Sequence, residues 1–150
     1  MEKLVLSLPL PPTINQSYHA YPVGKTCRIV MDQRARDYKE MVREEAALLW
    51  RTQKPFEITQ DTRFVLRLWM FLEKNSRDVD ANIKLVMDGV MQGIKDAVDL
   101  DGLSDLRVFR AELEKVLLKE VDVELSPCLI VEVSEWHGYG IMSSADLYNG

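Results

Sequence analysis

Residues 62–72 read TRFVLRLWMFL, and this stretch decides the fold class. It is β-branched, aromatic and apolar along nearly its whole length, which is typical of a largely buried central strand. The stretch TQKPFEITQD precedes it and contains breaker residues. A buried central strand requires neighbouring strands and covering helices, so the remaining segments are interpreted around it.

Two amphipathic helices are predicted on either side of this strand in the sequence. Asp32 is expected to cap a helix that runs to about Arg51. A second helix is predicted over about residues 79–96. The apolar residues at helical spacing are Tyr38, Met41, Val42, Ala46 and Leu49 in the first helix, and Ile83, Val86, Met87, Val90 and Ile94 in the second.

Further strands are predicted at residues 3–8 (KLVLSL), 27–31 (CRIVM) and 129–135 (LIVEVSE). Prolines 9, 11 and 12 end the first strand, since proline lacks the N–H donor that a β-ladder needs. Residues 105–121 are ambiguous between helix and strand, and a strand is favoured at 106–115. The pattern predicts an α+β fold in a single compact domain, with a mixed β-sheet flanked by two main helices.

Composition and length indicate the class of protein and the number of domains. The chain has 150 residues, of which 47% are hydrophobic and 29% charged, as in soluble globular domains. No apolar run approaches the ~18 residues of a membrane span, and the N-terminus does not resemble a signal peptide, so we expect no membrane association and a cytoplasmic location. The domain is expected over residues 1–136, with a tail at 137–150 that is flexible or lies at a dimer interface.

The chain offers few nitrogen or sulfur ligands for a metal. It contains only two histidines and two cysteines, and Cys27 and Cys128 show no CxxC spacing. Any bound metal is therefore expected to be held by oxygen atoms. The formal net charge of −5 argues against a nucleic-acid partner, but residues 1–77 carry a net +4 and residues 78–150 a net −9. A basic surface beside an acidic site, or ordinary solvated charge, would each explain this asymmetry.

The segment 74–89, KNSRDVDANIKLVMDG, gathers acids around one lysine. On a helical wheel Asp80, Lys84 and Asp88 share one solvent-side edge. In one interpretation Asp78 caps the helix and the others form exposed ion pairs. In the other, Asp78 and Asp80 are ligands for Mg²⁺, a later acid at Asp99 or Asp101 completes the site, and Lys84 is a fixed cation.

These residues carry a resemblance to a known family. Arg77-Asp78-Val79-Asp80, with Asn82, Lys84 and Asp88, and the early segment LPLPPTINQSY at residues 8–18, resemble the RusA family of Holliday-junction resolvases. The resemblance covers roughly residues 3–134. It implies a small homodimeric endonuclease that uses Mg²⁺, with Mn²⁺ as a substitute, to make paired symmetric nicks in four-way DNA junctions.

The resemblance also implies roles for individual residues. Asp78 and Asp80 match the metal-binding aspartates, Lys84 the essential lysine, and Arg77 a basic residue that meets phosphate. Asn15 and Tyr18 match the early motif and are expected near the site. Two departures stand out: Ala81 occupies the place of a family asparagine, and the acids after the helix are split, which leaves Asp99 and Asp101 as alternative third ligands.

The function expected from this reasoning is a magnesium-dependent endonuclease that resolves four-way DNA junctions in recombination and repair. The alternatives are a junction-binding protein of the same fold without catalysis, and a structural domain whose acids are caps and surface ion pairs. The expected contacts to the DNA backbone come from basic residues before and along the first helix, Arg28, Arg34, Arg36, Lys39 and Arg43.

Overall fold

A computed structural model describes residues 2–13, 18–79 and 82–149. Within these ranges the chain is α+β, as predicted, with a mixed four-stranded sheet, a separate two-stranded hairpin and three helices. The strands are β1 (Lys3–Leu8), β2 (Tyr18–Val23), β3 (Thr26–Met31), β4 (Phe64–Leu72), β5 (Val108–Leu117) and β6 (Cys128–Glu135). The helices are α1 (Gln33–Gln53), α2 (Ile83–Val98) and the short α3 (Ser144–Asn149), and two 3₁₀ turns lie at Asp105–Arg107 and Leu118–Glu120.

The main sheet has the strand order β1-β6-β4-β5. The β4 strand pairs in parallel with β5 and antiparallel with β6, and β6 pairs antiparallel with β1. The parallel β4–β5 connection passes through α2, as a crossover between parallel strands requires. The stretch that decided the fold class is therefore an interior strand of the sheet, and the strand favoured at 106–115 is confirmed as β5.

Side chains alternate between the two faces of the sheet. Alternate residues of β1, β4 and β6 enter a core that they share with the apolar faces of α1 and α2. The core-facing residues of β4 are Phe64, Leu66, Leu68, Met70 and Leu72, and Val65 on the opposite face is also buried. The opposite face carries Arg67, Trp69 and Phe71, which are only half-buried.

The predicted start of α1 is confirmed, because the Asp32 carboxylate accepts a hydrogen bond of 2.9 Å from the Arg34 amide. The predicted start of the second helix is wrong. The helix begins at Ile83, after Asn82, which has a left-handed φ of 60° and is buried. Asp78 therefore lies well before the helix and does not cap it.

The strand predicted at residues 27–31 is confirmed within β3, but its hairpin partner β2 was not predicted. Pro22 in this segment disfavoured a strand, but β2 lies at the edge of a two-stranded sheet, where proline is tolerated. A tight turn at Gly24, with φ 62°, pairs Val23 with Thr26. In the described residues no helix is long and apolar enough to cross a membrane.

Candidate active site

The loop that follows β4, residues 73–79, and Asn82 at the start of α2 are held against the proline segment at residues 9–13. The Asn82 Nδ2 donates a 2.8 Å hydrogen bond to the Pro12 carbonyl, and the Arg77 guanidinium donates to the Pro11 carbonyl. Asparagine tolerates the left-handed conformation better than other residues with a Cβ, which suits Asn82 to this bend. The two segments that carried the family resemblance therefore contact each other, although about 70 residues separate them in the chain.

A third donor reaches the same proline segment from α1. The Tyr38 hydroxyl donates a 2.8 Å hydrogen bond to the Pro9 carbonyl. Burial raises the pKa of Tyr38 above its usual value, and the nearby positive charge of Arg77 opposes that shift. The tyrosine therefore stays neutral and serves as a fixed donor. A proline carbonyl remains a full acceptor although the residue lacks an N–H, so these three side chains hold the segment through its carbonyls.

The first turns of α2 carry a lysine between two carboxylates. The Lys84 ammonium lies 3.1 Å from the Asp88 carboxylate, one turn along the helix, and also donates to the carboxylate of Asp105. Hydrogen bonds to Asp105 and then to Asp88 raise the pKa of Lys84, and the bond from Lys84 lowers the pKa of Asp105. The Lys84–Asp88 pair confirms one half of the predicted ion-pair row.

Asp105 was not among the predicted site residues. It begins a 3₁₀ turn at the entrance to β5, and the Ser104 hydroxyl caps this turn by accepting from the Leu106 amide at 3.2 Å. Leu103 is buried and anchors the turn on the core, while Gly102 takes a positive φ of 82° just before it. The serine cap next to an aspartate was the sequence signal that could have identified this position.

The structure does not bring Asp99 or Asp101 to Lys84. Asp99 forms the C-cap of α2 with φ 52°, and its amide donates to the Lys95 carbonyl at 2.8 Å. About 21 Å of helix axis separates Lys84 from Val98, at 1.5 Å per residue. Asp101 lies in the exposed turn that follows. Both carboxylates are thus at the far end of α2 from its first turn.

Several predicted residues lie outside the described part of the chain. Asp80 and Asn15 belong to the undescribed residues. Tyr18 and Arg28 lie on β2 and β3, but their side chains are also outside the described part. Asp78 is described, and it is exposed in the loop directly after Arg77.

The basic residues of α1 divide into two groups. Arg43 donates hydrogen bonds to both carboxylate oxygens of Asp96 on α2, at 2.5 and 3.0 Å. The Arg34 guanidinium lies 3.4 Å from the carboxylate of Asp32, which is the N-cap of α1. Arg36 is exposed and Lys39 is half-exposed on the same helix. The Arg43 side chain is therefore occupied by a contact between the helices, whereas Arg36 and Lys39 are better placed to reach a phosphate backbone.

The carboxylate geometry can be compared with the needs of a hard cation. Asp88 and Asp105 both approach one ammonium nitrogen, so their oxygens face a common point, and Mg²⁺ takes one or two carboxylates in this way while it retains waters and phosphate oxygens. The pair fits such an ion if Lys84 moves aside. In residues 2–13, 18–79 and 82–149 no three acidic, histidine or cysteine side chains form a group that could hold a metal.

No protein-family model matches the chain, and no curated protein matches it.

Proposed function

We propose that this protein is a magnesium-dependent endonuclease that acts on four-way DNA junctions as a homodimer. The observation that carries the proposal is the convergence of Asp88 and Asp105 on Lys84, at the start of a helix that follows an Arg-Asp-Val-Asp loop. The contacts between that loop and the proline segment support it, because they join the two segments whose sequences resemble the RusA family.

In this proposal the chain's own side chains divide the work. Asp105 and Asp88 supply carboxylate oxygens, and Asp78 and Asp80 supply the acids of the loop. A bound Mg²⁺ would activate water and neutralise the scissile phosphate. Lys84, once released from the carboxylates of Asp88 and Asp105, is a cation that stabilises charge on the phosphate in the transition state. Two nicks in opposed strands need two sites related by a two-fold axis, which is the reason for a homodimer.

Lys84 also provides the observation that favours the second candidate. Its ammonium already neutralises Asp88 and Asp105, so the pair is satisfied without a metal ion. A junction-binding protein of the same fold that does not cut DNA would have this arrangement. The two candidates differ in whether Mg²⁺ can take the carboxylates from Lys84.

The decisive experiment is a nicking assay on a synthetic four-way junction with Mg²⁺, with a linear duplex of the same sequence as the control substrate. We expect paired nicks in the junction alone. Asp105→Asn should reduce the rate by about 100-fold or more, a loss typical for one essential charged group. Asp99→Asn and Asp101→Asn are matched controls, since each removes one carboxylate at the far end of α2, and they should cut at nearly the wild-type rate.

The outcomes separate the candidates. If Asp99→Asn or Asp101→Asn loses activity while Asp105→Asn retains it, the third ligand is the one first predicted from sequence and Asp105 has no role. If the wild-type protein binds the junction but leaves it uncut in both Mg²⁺ and Mn²⁺, the non-cutting alternative is correct. Absence of both binding and nicking would leave the acids as surface ion pairs.

A further inference from the structure

A polar cleft lies next to the loop that carries Asp78. It has a volume of about 410 Å³, and its lining residues are Asn75, Ser76, Arg77, Asp78 and Lys115. The loop supplies four of these residues, and β5 supplies Lys115. The cleft is large enough for a phosphodiester group. Its polar lining suits a charged ligand better than an apolar one.

Lys115 is the less expected member of this set. It is half-buried on β5, opposite Met70 of β4, and its ammonium donates a 3.0 Å hydrogen bond to the Arg77 carbonyl. A lysine ammonium has three donors, and this carbonyl uses one of them. No carboxylate among the described residues lies within ion-pair distance of Lys115, in contrast to Lys84. A half-buried cation with spare donors favours an anion beside it.

Arg77, the other cation that lines the cleft, contacts the proline segment. The Arg77 guanidinium donates to the Pro11 carbonyl, and its charge lies close enough to Tyr38 to affect the tyrosine's pKa. Arg77 therefore joins the loop to the proline segment, which makes it a positioning residue. The Arg77 backbone carbonyl in turn accepts the hydrogen bond from the Lys115 ammonium.

We infer that Lys115, rather than Arg77, is the cation that binds a DNA phosphate beside Asp78. This inference rests on the proposed function in taking the ligand to be DNA. Lys115 would have two tasks: one donor holds the backbone next to Asp78, and the other two bind a phosphodiester oxygen. The result is a phosphate subsite on β5, adjacent to the acidic loop and separate from the Lys84 contact.

The test measures binding, in EDTA, of a fluorescently labelled four-way junction over about 50 to 200 mM KCl, where affinities of phosphate-binding proteins fall steeply. Each phosphate contact contributes about 0.9 to the slope of log affinity against log salt concentration. Lys115→Met should therefore reduce the slope by about 1, and Lys115→Arg should retain it. Arg77→Met should lower the melting temperature and leave the slope unchanged. Lys119→Met, four residues further on and exposed, is the matched control and should change neither quantity.

A second probe separates failure of this inference from failure of the proposed function. Inorganic pyrophosphate should raise the melting temperature of the wild type and of Lys115→Arg, but not of Lys115→Met. Pyrophosphate stabilisation without junction binding would reject the nuclease proposal and retain the anion site. A slope that falls in Arg77→Met but not in Lys115→Met would overturn the inference, and so would equal pyrophosphate stabilisation of the wild type and Lys115→Met.

Discussion

Individual side chains in this protein act across long stretches of sequence. Lys84 was predicted to pair with acids on its own helix, and it does contact Asp88, but its other partner, Asp105, is 21 positions away. Arg43 was predicted to contact DNA, and within the chain it pairs with Asp96, 53 positions away. In both cases the charged side chain could be singled out from the sequence. The partner could not be predicted, because it depends on how the elements pack.

The Arg43–Asp96 contact leads to a prediction for stability against pH. The hydrogen bond from Arg43 lowers the pKa of Asp96 below its usual value in the folded state. The Arg43–Asp96 pair therefore contributes fully to the free energy of unfolding above the unfolded aspartate pKa of about 3.9. This contribution is lost as the pH falls through the lower folded pKa. Asp96→Asn should reduce the free energy of unfolding by about 0.2–1 kcal/mol at pH 7, because the pair is partly exposed.

The difference in free energy of unfolding between the wild type and Asp96→Asn should disappear at low pH, where Asp96 is protonated. Urea denaturation at a series of pH values should show the wild type and Asp96→Asn converging as the pH falls through the lowered folded pKa of Asp96. Asp61→Asn removes an exposed carboxyl from a loop and is the matched control, with no pH-dependent difference expected. A constant gap between the wild type and Asp96→Asn at all pH values would show that the pair does not stabilise the fold through its charge.

At the scale of elements, the two main helices were predicted by their apolar periodicity, but their close approach was not. Gly89 and Gly93 lie one turn apart on the face of α2 that contacts α1. A Cβ at position 93 would lie 2.3 Å from the Arg43 carbonyl oxygen and 2.8 Å from the Ala46 Cβ. The backbones therefore pack so closely that only glycine fits at Gly93, which brings Asp96 within reach of Arg43.

This close approach predicts an unusual result for a glycine-to-alanine change in a helix. Alanine has the better helix propensity by about 1 kcal/mol, yet Gly93→Ala should lower the free energy of unfolding by about 1–3 kcal/mol, because its Cβ would overlap backbone atoms of α1. Gly89→Ala should cost less, since its nearest contacts would be the Val42 side chain at 2.9 Å and the Lys39 carbonyl oxygen at 3.1 Å, both longer than the 2.3 Å contact at Gly93. Thermal and urea denaturation would measure both, and a Gly93→Ala protein more stable than the wild type would contradict the packing described.

At the scale of the whole molecule, the sheet is unequal on its two faces. One face builds the core with α1 and α2, whereas the other carries half-buried Trp69 and Phe71 on β4 and Val5, which is 43% exposed, on β1. Charged pairs such as Arg67–Glu112, at 2.6 Å, lie on the same face. A mixed apolar and charged face of this kind suits a symmetric contact with a second copy of the chain.

We therefore predict a dimer in solution that uses this face. Sedimentation equilibrium should give about twice the chain mass of 17.3 kDa. Trp69→Arg should shift the protein to the monomer, because it places an unpaired charge in the interface. Leu48→Arg changes a residue of α1 that is already 58% exposed and should leave the dimer intact. A wild-type protein that remains monomeric at high concentration would remove the dimer from the proposed mechanism.

The sequence by itself determined the α+β class, the interior strand β4 and the amphipathic helices, because periodicity and local propensity are properties of short segments. It did not determine where α2 begins, since the left-handed Asn82 depends on a hydrogen bond to Pro12, 70 positions earlier. Only the tertiary structure decided which acid meets Lys84. The 16 residues of α2 carry Asp99 away from the first turn of the helix. The turn at Gly102 and Ser104 then places Asp105 beside Lys84, so the acid that is further along the chain is the one that is closer in space.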